Sequence, residues 1–555
     1  MTEPSWPVDA APRAAPAASS SSGTLTGARE LTRLAIRRDR IMLPIWIYAL
    51  TAIGASGGYA LKLVYKTAAS RASLVNSIHR DAALHFLYGQ LHGSSLGAIA
   101  AWRYLGYAAL AAGLMSIFLV IRHTRGDEET GRLELVGSTV VGRHAPLAVA
   151  MTVAGLANVV VLLLTTAVLA VSGLPLAGSL AFGLGEVGCG LVFAGIAAIA
   201  AQISGTARGA RGIAITVIAV VWFLRGVGDS GGSHHLSWLT WLSPIGWAEL
   251  LQPFGGDRWW VLALPAAATA AGIAIAFLLA SYRDQGAGLL PQRPGPPAAG
   301  ALLAGPLGLS WRLLRGSVAG WAAGFLAGGL AIGVVGNGIS QLIGSRSGAV
   351  AETLTRIAHQ NALTDAYLAA CLSLVGMVAA AFAVTAVLRL RSEETDGHAE
   401  PILAGPVGRV RWAGCQLLVA AAGTVVMLVL GGLGMGLGYG LASSAAGTQV
   451  PRLVGASLVQ IPAALLVGAV AAAFVGLAPR WSVAGSWTAA GVAIAIAIFG
   501  PGFNLSGAVL DISPFPHVPA LPGGALTAAP LIWLSASVVV LTAAGLAGLR
   551  RRDLG

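Results

Sequence analysis

Lysine is almost missing: the 555 residues hold two, Lys62 and Lys66. A Walker A loop needs a Gly-Lys-Ser/Thr step to hold nucleotide phosphates, and Lys62 follows Leu61 while Lys66 follows Tyr65. The chain cannot itself be a P-loop ATPase. Charge is scarce as well, 10% of residues with 56% hydrophobic, against roughly 25% charged in soluble domains. That excludes a water-soluble globule. The three cysteines, Cys189, Cys371 and Cys415, lie in apolar stretches without CxxC spacing, which argues against a disulfide framework or a zinc site. In the outer loops Lys62–Ala98 and Leu224–Arg258, His79, His85, His92 and His234-His235 lack the clustered carboxylates of a metal centre. An apolar signal core is also missing from the Ala/Pro/Ser-rich residues 1–23, which read as a disordered cytoplasmic tail.

What is abundant is hydrophobic length. Stretches of about twenty apolar residues each suffice to cross roughly 30 Å of hydrocarbon. The pattern predicts twelve spans: Ile41–Leu61, Ile99–Ile121, Leu147–Val171, Ala181–Ile203, Gly212–Leu224 and Trp259–Ala280 in a first half (24–281), then Val318–Ile339, Tyr367–Leu388, Ala413–Leu441, Ala456–Ala478, Val483–Phe499 and Leu526–Leu549 in a second (309–555). Residues 282–308, rich in Gly and Pro, form a cytoplasmic linker. The fold class is an all-α polytopic membrane protein. With the N-terminus inside, 24 of the 34 basic residues fall on the cytoplasmic side, the positive-inside asymmetry of a plasma-membrane protein with both termini in the cytoplasm. The net charge of +12 is therefore a topology signal, and no nucleic-acid partner is expected.

The halves repeat each other. Arg125–Arg143 (RGDEETGRLELVGSTVVGR) aligns without a gap on Arg391–Arg409 (RSEETDGHAEPILAGPVGR), sharing Arg125/Arg391, Glu128/Glu394, Gly131/Gly397, Glu134/Glu400, Val141/Val407, Gly142/Gly408 and Arg143/Arg409. Leu34, Arg37, Arg40 and Trp46 match Leu309, Arg312, Arg315 and Trp321, Ser243-Pro244 matches Ser513-Pro514, and Arg283-Asp284 matches Arg552-Asp553. Six spans per half return the chain to its starting side, so the halves form parallel six-helix repeats about an axis along the membrane normal.

Two cytoplasmic features recur. Arg33, Arg37 and Arg40 fall at i, i+4 and i+7, marking an amphipathic elbow helix at the inner membrane surface, and Arg312 and Arg315 begin its copy. Each half then carries an acidic cluster, Asp127, Glu128, Glu129 and Glu134, then Glu393, Glu394, Asp396 and Glu400. Glu128 with Arg132 and Glu394 with His398 are i, i+4 pairs that predict a short helix, which Pro401 ends in the second copy. Such a helix suits docking on a soluble partner.

With the cluster Asp127-Glu128, Gly131, Glu134, Arg143 and its copy Glu393-Glu394, Gly397, Glu400, Pro406-Val407-Gly408-Arg409, the chain resembles the membrane subunit of ABC exporters, where an elbow helix precedes the first span and a coupling helix joins the second and third. It is similar to the fused two-half permeases of the actinobacterial tetronasin-resistance type over nearly its whole length. The first half departs from the pattern at Asp127 and Val140. The resemblance implies a separate ATP-binding subunit in two copies, with ATP and Mg on that subunit and none on this chain, and export of hydrophobic drugs or antibiotics. It implies ATPase-coupling roles for Arg125, Asp127, Glu128, Glu129, Glu134, Arg143, Arg391, Glu393, Glu394, Glu400 and Arg409. It also points to Met115, Phe118, Met377 and Phe382 on the second span of each half as candidates for an apolar path, since the family uses the second and fifth spans of each half there.

Ionisable groups inside spans are costly and mark candidate function. Glu186 is the clearest, with Asn158 and Gln460 as polar companions, while Arg103 and Arg225 near span ends are expected to snorkel outward. Gly432, Gly436 and Gly440 form a close-packing row. Two other classes stay open: a proton-driven secondary carrier with Glu186 as relay, and a membrane enzyme for lipid-linked substrates, for which the outer loops supply only scattered acids and histidines.

Overall fold

The computed structural model describes residues 23–64, 67–78, 82–230, 237–284, 286–290, 300, 303, 305–344, 360–499 and 506–552. The expected tail, linker residues 291–299, His79 and His234-His235 lie outside the described residues. Every regular element among those described is helical, as a hydrocarbon environment demands of backbone that must satisfy its own hydrogen bonds. Among the described residues, eleven helices are long and apolar enough to cross a membrane. At the first expected span the helix Met42–Val64 carries an apolar stretch, Met42–Gly54, that falls below that length. The described count is thus eleven where the hydrophobic pattern gives twelve.

The chain divides into two compact units, Met1–Arg293 and Pro294–Gly555. The first contains α1 (Ala28–Arg38), α2 (Met42–Val64), α3 (Leu96–Ile121), α4 (Ala145–Val171), α5 (Leu176–Ile203), α6 (Ala207–Ser230), α7 (Pro244–Leu250) and α8 (Ala263–Ser281). Here α5 is the central helix, packed against α3, α4 and α8. Its alanines and glycines let neighbours approach, as at Gly195, whose backbone faces that of Gly272. Helix α6 is longer than the expected Gly212–Leu224, because Arg208, Arg211, Arg225 and Asp229, which interrupt the apolar run, continue the same helix.

The second unit contains α9 (Pro306–Gly344), α10 (Gln360–Thr395), α11 (Arg409–Ala442), α12 (Ala446–Leu458), α13 (Ile461–Leu477), α14 (Ser482–Phe499) and α15 (Ala528–Arg551). Gly432, Gly436 and Gly440 face the backbone of α12 near Leu453, Val450 and Ala446, while Gly434 and Gly438 on another face of α11 meet the carbonyls of Leu326 and Leu330. Any side chain at these rows would separate three helices. The elements ahead of the two first spans differ. In the first unit α1 breaks from α2 at Asp39–Ile41, whereas Arg312 and Arg315 lie in one continuous helix with their span. Leu313 and Leu314 stand where Arg38 and Asp39 stand in the first unit, and leucine favours helix where aspartate favours a cap.

Candidate functional site

The acidic clusters lie where long helices turn. Helix α3 runs on through a wide turn, Arg122–Gly126, to Glu129, and α10 reaches Thr395. Two residues later each chain reverses at a glycine of positive φ, Gly131 at 68° and Gly397 at 73°. These repeated glycines end the helices in a conformation that costs other residues strain. The reversal breaks the i, i+4 register, so the expected pairs do not form. Arg132 turns to Asp127 and His398 to Glu393. Pro401 sits in the first turn of a following helix, Ala399–Leu403, where a missing N–H is harmless, and so does not end one.

Freed from those pairs, Glu128 and Glu394 make the same contacts in their own units. Glu128 is paired with Arg125 at 2.6 Å and with Arg283 just beyond α8. Glu394 is paired with Arg391 at 3.1 Å and with Arg552 just beyond α15 at 2.6 Å. Arg143 donates to the carbonyls of Ala280, Ser281 and Arg283, and Arg409 to that of Arg552 at 2.6 Å. Cations at carbonyl-bearing helix ends are favourable. Each turn is thereby clamped to the end of the last span of its unit by five residues that the repeat shares, two arginines, a glutamate, a glycine and a third arginine. Arg125 is the most deeply held, donating to Ala201 O at 2.5 Å and Ala287 O at 2.8 Å.

The remaining acids of the clusters are distributed differently. The Glu129 carboxylate accepts from the first N–H of α6, Ala207, at 2.8 Å, a favourable place for negative charge. Asp127 takes a two-pronged ion pair from Arg38 at 2.7 and 3.0 Å. Arg38 also donates to Nδ1 of His123 at 2.8 Å, so the imidazole proton sits on Nε2 and points to Asp39 at 2.6 Å. Arg122 completes the network on Asp39 at 2.9 Å. Burial alone pushes the Asp39 carboxyl up, but His123, Arg122 and Arg38 together hold it below the ordinary carboxylate range. Its contribution to stability is present above that range and lost only as pH falls through it. Nothing in the sequence pattern flags Arg38 or Asp39, since neither recurs in the second half. There Glu393 pairs locally with Arg389 at 2.7 Å.

Glu134, Glu400 and Asp396 point outward and are exposed, as are Arg33, Arg37, Arg40, Arg312 and Arg315. Glu134 and Glu128 share a cleft of about 210 Å³ with Arg143 and Arg283. Within the spans, Glu186 is fully buried on α5. Asn158 is buried and joins α4 to α3 through Ser116 at 2.9 Å. Gln460 lies at the step between α12 and α13, against Gly376 of α10. Met115 is buried beside Leu50, and Phe118 stacks on Trp46 at 6.2 Å. Met377 and Phe382 are buried in the second unit, Phe382 meeting Trp321 edge-on at 6.0 Å. In both units a phenylalanine of the second span thus meets the repeated tryptophan of the first.

Residues 303–550 match the family model described as the multidrug efflux system permease Rv1217c, C-terminal domain. The multidrug efflux system permease protein Rv1217c of Mycobacterium tuberculosis is 40% identical over 530 residues, 95% of each chain. The chain belongs to this permease family. At 95% of each chain, the likeness reaches into both units of the permease.

The permease also holds a charged cluster at the other end of α6, around the arginine expected to snorkel. Arg225 does not snorkel: it is fully buried, 2.5 Å from Glu249 of α7 and 3.8 Å from Asp229, and donates to the carbonyls of Phe86 and Leu87 at 2.6 and 3.2 Å. Helix α7 brings Glu249 there because Ser243 accepts from Gly246 N and Pro244 opens the helix. The signal available in the sequence was that repeated Ser-Pro step, which reads as a helix start without saying what it faces. Two carboxylates meet one guanidinium, and burial pushes Glu249 up to about 8, with Arg225 pulling it down and Asp229 adding to the rise. A carboxyl raised from 4.5 to about 8 keeps its proton in the folded state while the unfolded chain releases it, so stability falls as pH rises through that window. The detergent-purified permease is expected to lose about 2 kcal/mol between pH 6 and pH 8. Thermal unfolding at the two values checks this, and Glu249→Gln should flatten the difference.

Proposed function

We propose that the permease exports hydrophobic drugs or antibiotics from the cell, driven by ATP hydrolysed on a separate ATP-binding subunit that docks in two copies on the arginine-rich face. That face is the cytoplasmic one, as the positive-inside asymmetry favours. The observation that carries the reading is the repeated clamp. Each turn presents an exposed glutamate, Glu134 or Glu400, and is fixed through Glu128 or Glu394 to the end of its unit's last span. A push on the exposed glutamate is passed to a membrane helix as a rigid displacement instead of being absorbed by a flexible loop. ATP and Mg belong to the partner subunit. This chain supplies two docking turns, their clamps and the spans that move.

A second reading rests on Glu186, a fully buried carboxyl with no basic partner among the described residues. It would make the permease a proton-driven carrier. Reconstituted transport separates the two. Uptake that requires both ATP and the second subunit supports the first reading, and uptake by this chain alone, collapsed by a protonophore and abolished in Glu186→Gln, supports the second.

A further inference from the structure

The second unit carries an open apolar groove of about 460 Å³, within the range of small-ligand sites. Its walls are Gly414, Leu418 and Ala421 of α11 and Val539, Ala543 and Leu546 of α15. Both wall segments lie in the half of their helices nearest the arginine-rich face, and α10 and α13 form the floor. Gly414 to Ala421 and Val539 to Leu546 each cover about 10 Å of helix, most of the roughly 15 Å depth of one leaflet. Helix α15 leaves most of its surface uncovered, 11% of its apolar window being buried, so the groove opens sideways rather than into a sealed core.

The mouth is charged. Arg411 lies three residues before Gly414 and Arg550 four residues after Leu546, one helical turn from the groove and on the same faces as its walls. Both guanidiniums are exposed and none of the ion pairs among the described residues involves them. Nearby Arg409 and Arg552 differ, being committed to the clamp. Two free guanidiniums at headgroup depth above an acyl-sized apolar groove are complementary to one molecule, a phospholipid with an anionic headgroup.

We infer that the groove between α11 and α15 binds an anionic glycerophospholipid of the adjacent leaflet, its acyl chain along Gly414–Ala421 and its phosphate held by Arg411 and Arg550. The first unit is not built for this, since Phe277 takes the place of Leu546 and leans on His144 at 5.6 Å. The inference does not depend on the energy source of transport.

The test uses the full-length permease in vesicles of phosphatidylcholine doped with a phosphatidylglycerol probe or a phosphatidylcholine probe, each with a photoreactive diazirine on one acyl chain. Peptide mapping after irradiation is expected to place the phosphatidylglycerol label on residues 414–421 and 539–546, about tenfold above the phosphatidylcholine label. Arg411→Gln with Arg550→Gln should reduce the two probes to equal labelling there. Gly414→Leu, whose side chain enters open space, should remove labelling by both. Equal labelling by the two probes in the unaltered chain overturns the proposal. So does a phosphatidylglycerol preference that survives the arginine replacements, or displacement of the probe by an exported drug, which would make the groove part of the transport path.

Discussion

Arg225→Met is expected to destabilise the permease by about 3–5 kcal/mol, the usual cost of removing one partner from a buried ion pair. Arg225 neutralises Glu249 and Asp229 and satisfies two carbonyls of the segment after Ala82–Tyr88 begins, at Phe86 and Leu87. Without it the carboxylate charge of Asp229, beside a Glu249 that already holds its proton, is left in the interior with no cation. Arg103→Met provides the contrast. Arg103 is exposed over the Tyr88 ring at 4.4 Å, an interaction worth about 0.5–1 kcal/mol at an exposed site. Thermal unfolding of the purified variants checks both. Equal losses at Arg225 and Arg103 would mean that Arg225 is solvated after all.

The second large effect separates holding from docking. Glu128→Gln leaves Arg125 and Arg283 side by side with no carboxylate, and Glu394→Gln does the same to Arg391 and Arg552. Each is expected to cost about 3 kcal/mol, since the glutamates and their partners are largely shielded from water. Glu134→Gln and Glu400→Gln touch exposed side chains and should change stability by less than about 0.5 kcal/mol. Combined, those two outward replacements should nevertheless lower ATP-driven transport about tenfold, the loss of roughly 1.4 kcal/mol of docking energy. Unfolding midpoints and transport rates on the same four proteins decide the matter. If the outward glutamates proved as important for stability as the clamped ones, or left transport untouched, the division of roles would be wrong.

Much of this was legible in the residues because two signals are strong in a membrane chain. Hydrophobic length placed most spans on a helix, but it missed the extent of α6, where Arg208, Arg211, Arg225 and Asp229 interrupt an apolar run that the helix itself ignores, the early start of α9 at Pro306, and the break between α12 and α13 inside the expected Ala456–Ala478. The duplication exposed the clamp set, Arg125, Glu128, Gly131, Arg143 and Arg283 with their copies, although not what the glutamates hold. An i, i+4 rule assigned them to Arg132 and His398, and a positive φ at Gly131 and Gly397 decided otherwise. What stayed hidden is unrepeated and distant in sequence. Arg38 and Asp39 meet His123 and Asp127 more than eighty residues away, and Glu249 meets Arg225 from 24 residues away with no periodic pattern to link them. Periodicity reports which face of one helix is apolar, and it carries no information on which charge of another element closes a buried pair.

In the proposed function, two clamped turns transmit work done on another chain. Its most direct test is drug uptake into proteoliposomes in which the arginine-rich face is outward, prepared with this permease alone and with a candidate ATP-hydrolysing subunit. Uptake is expected only with both proteins and ATP, insensitive to a protonophore and reduced about tenfold by Glu134→Gln with Glu400→Gln. Full uptake by the permease alone, driven by a proton gradient and lost in Glu186→Gln, would contradict it.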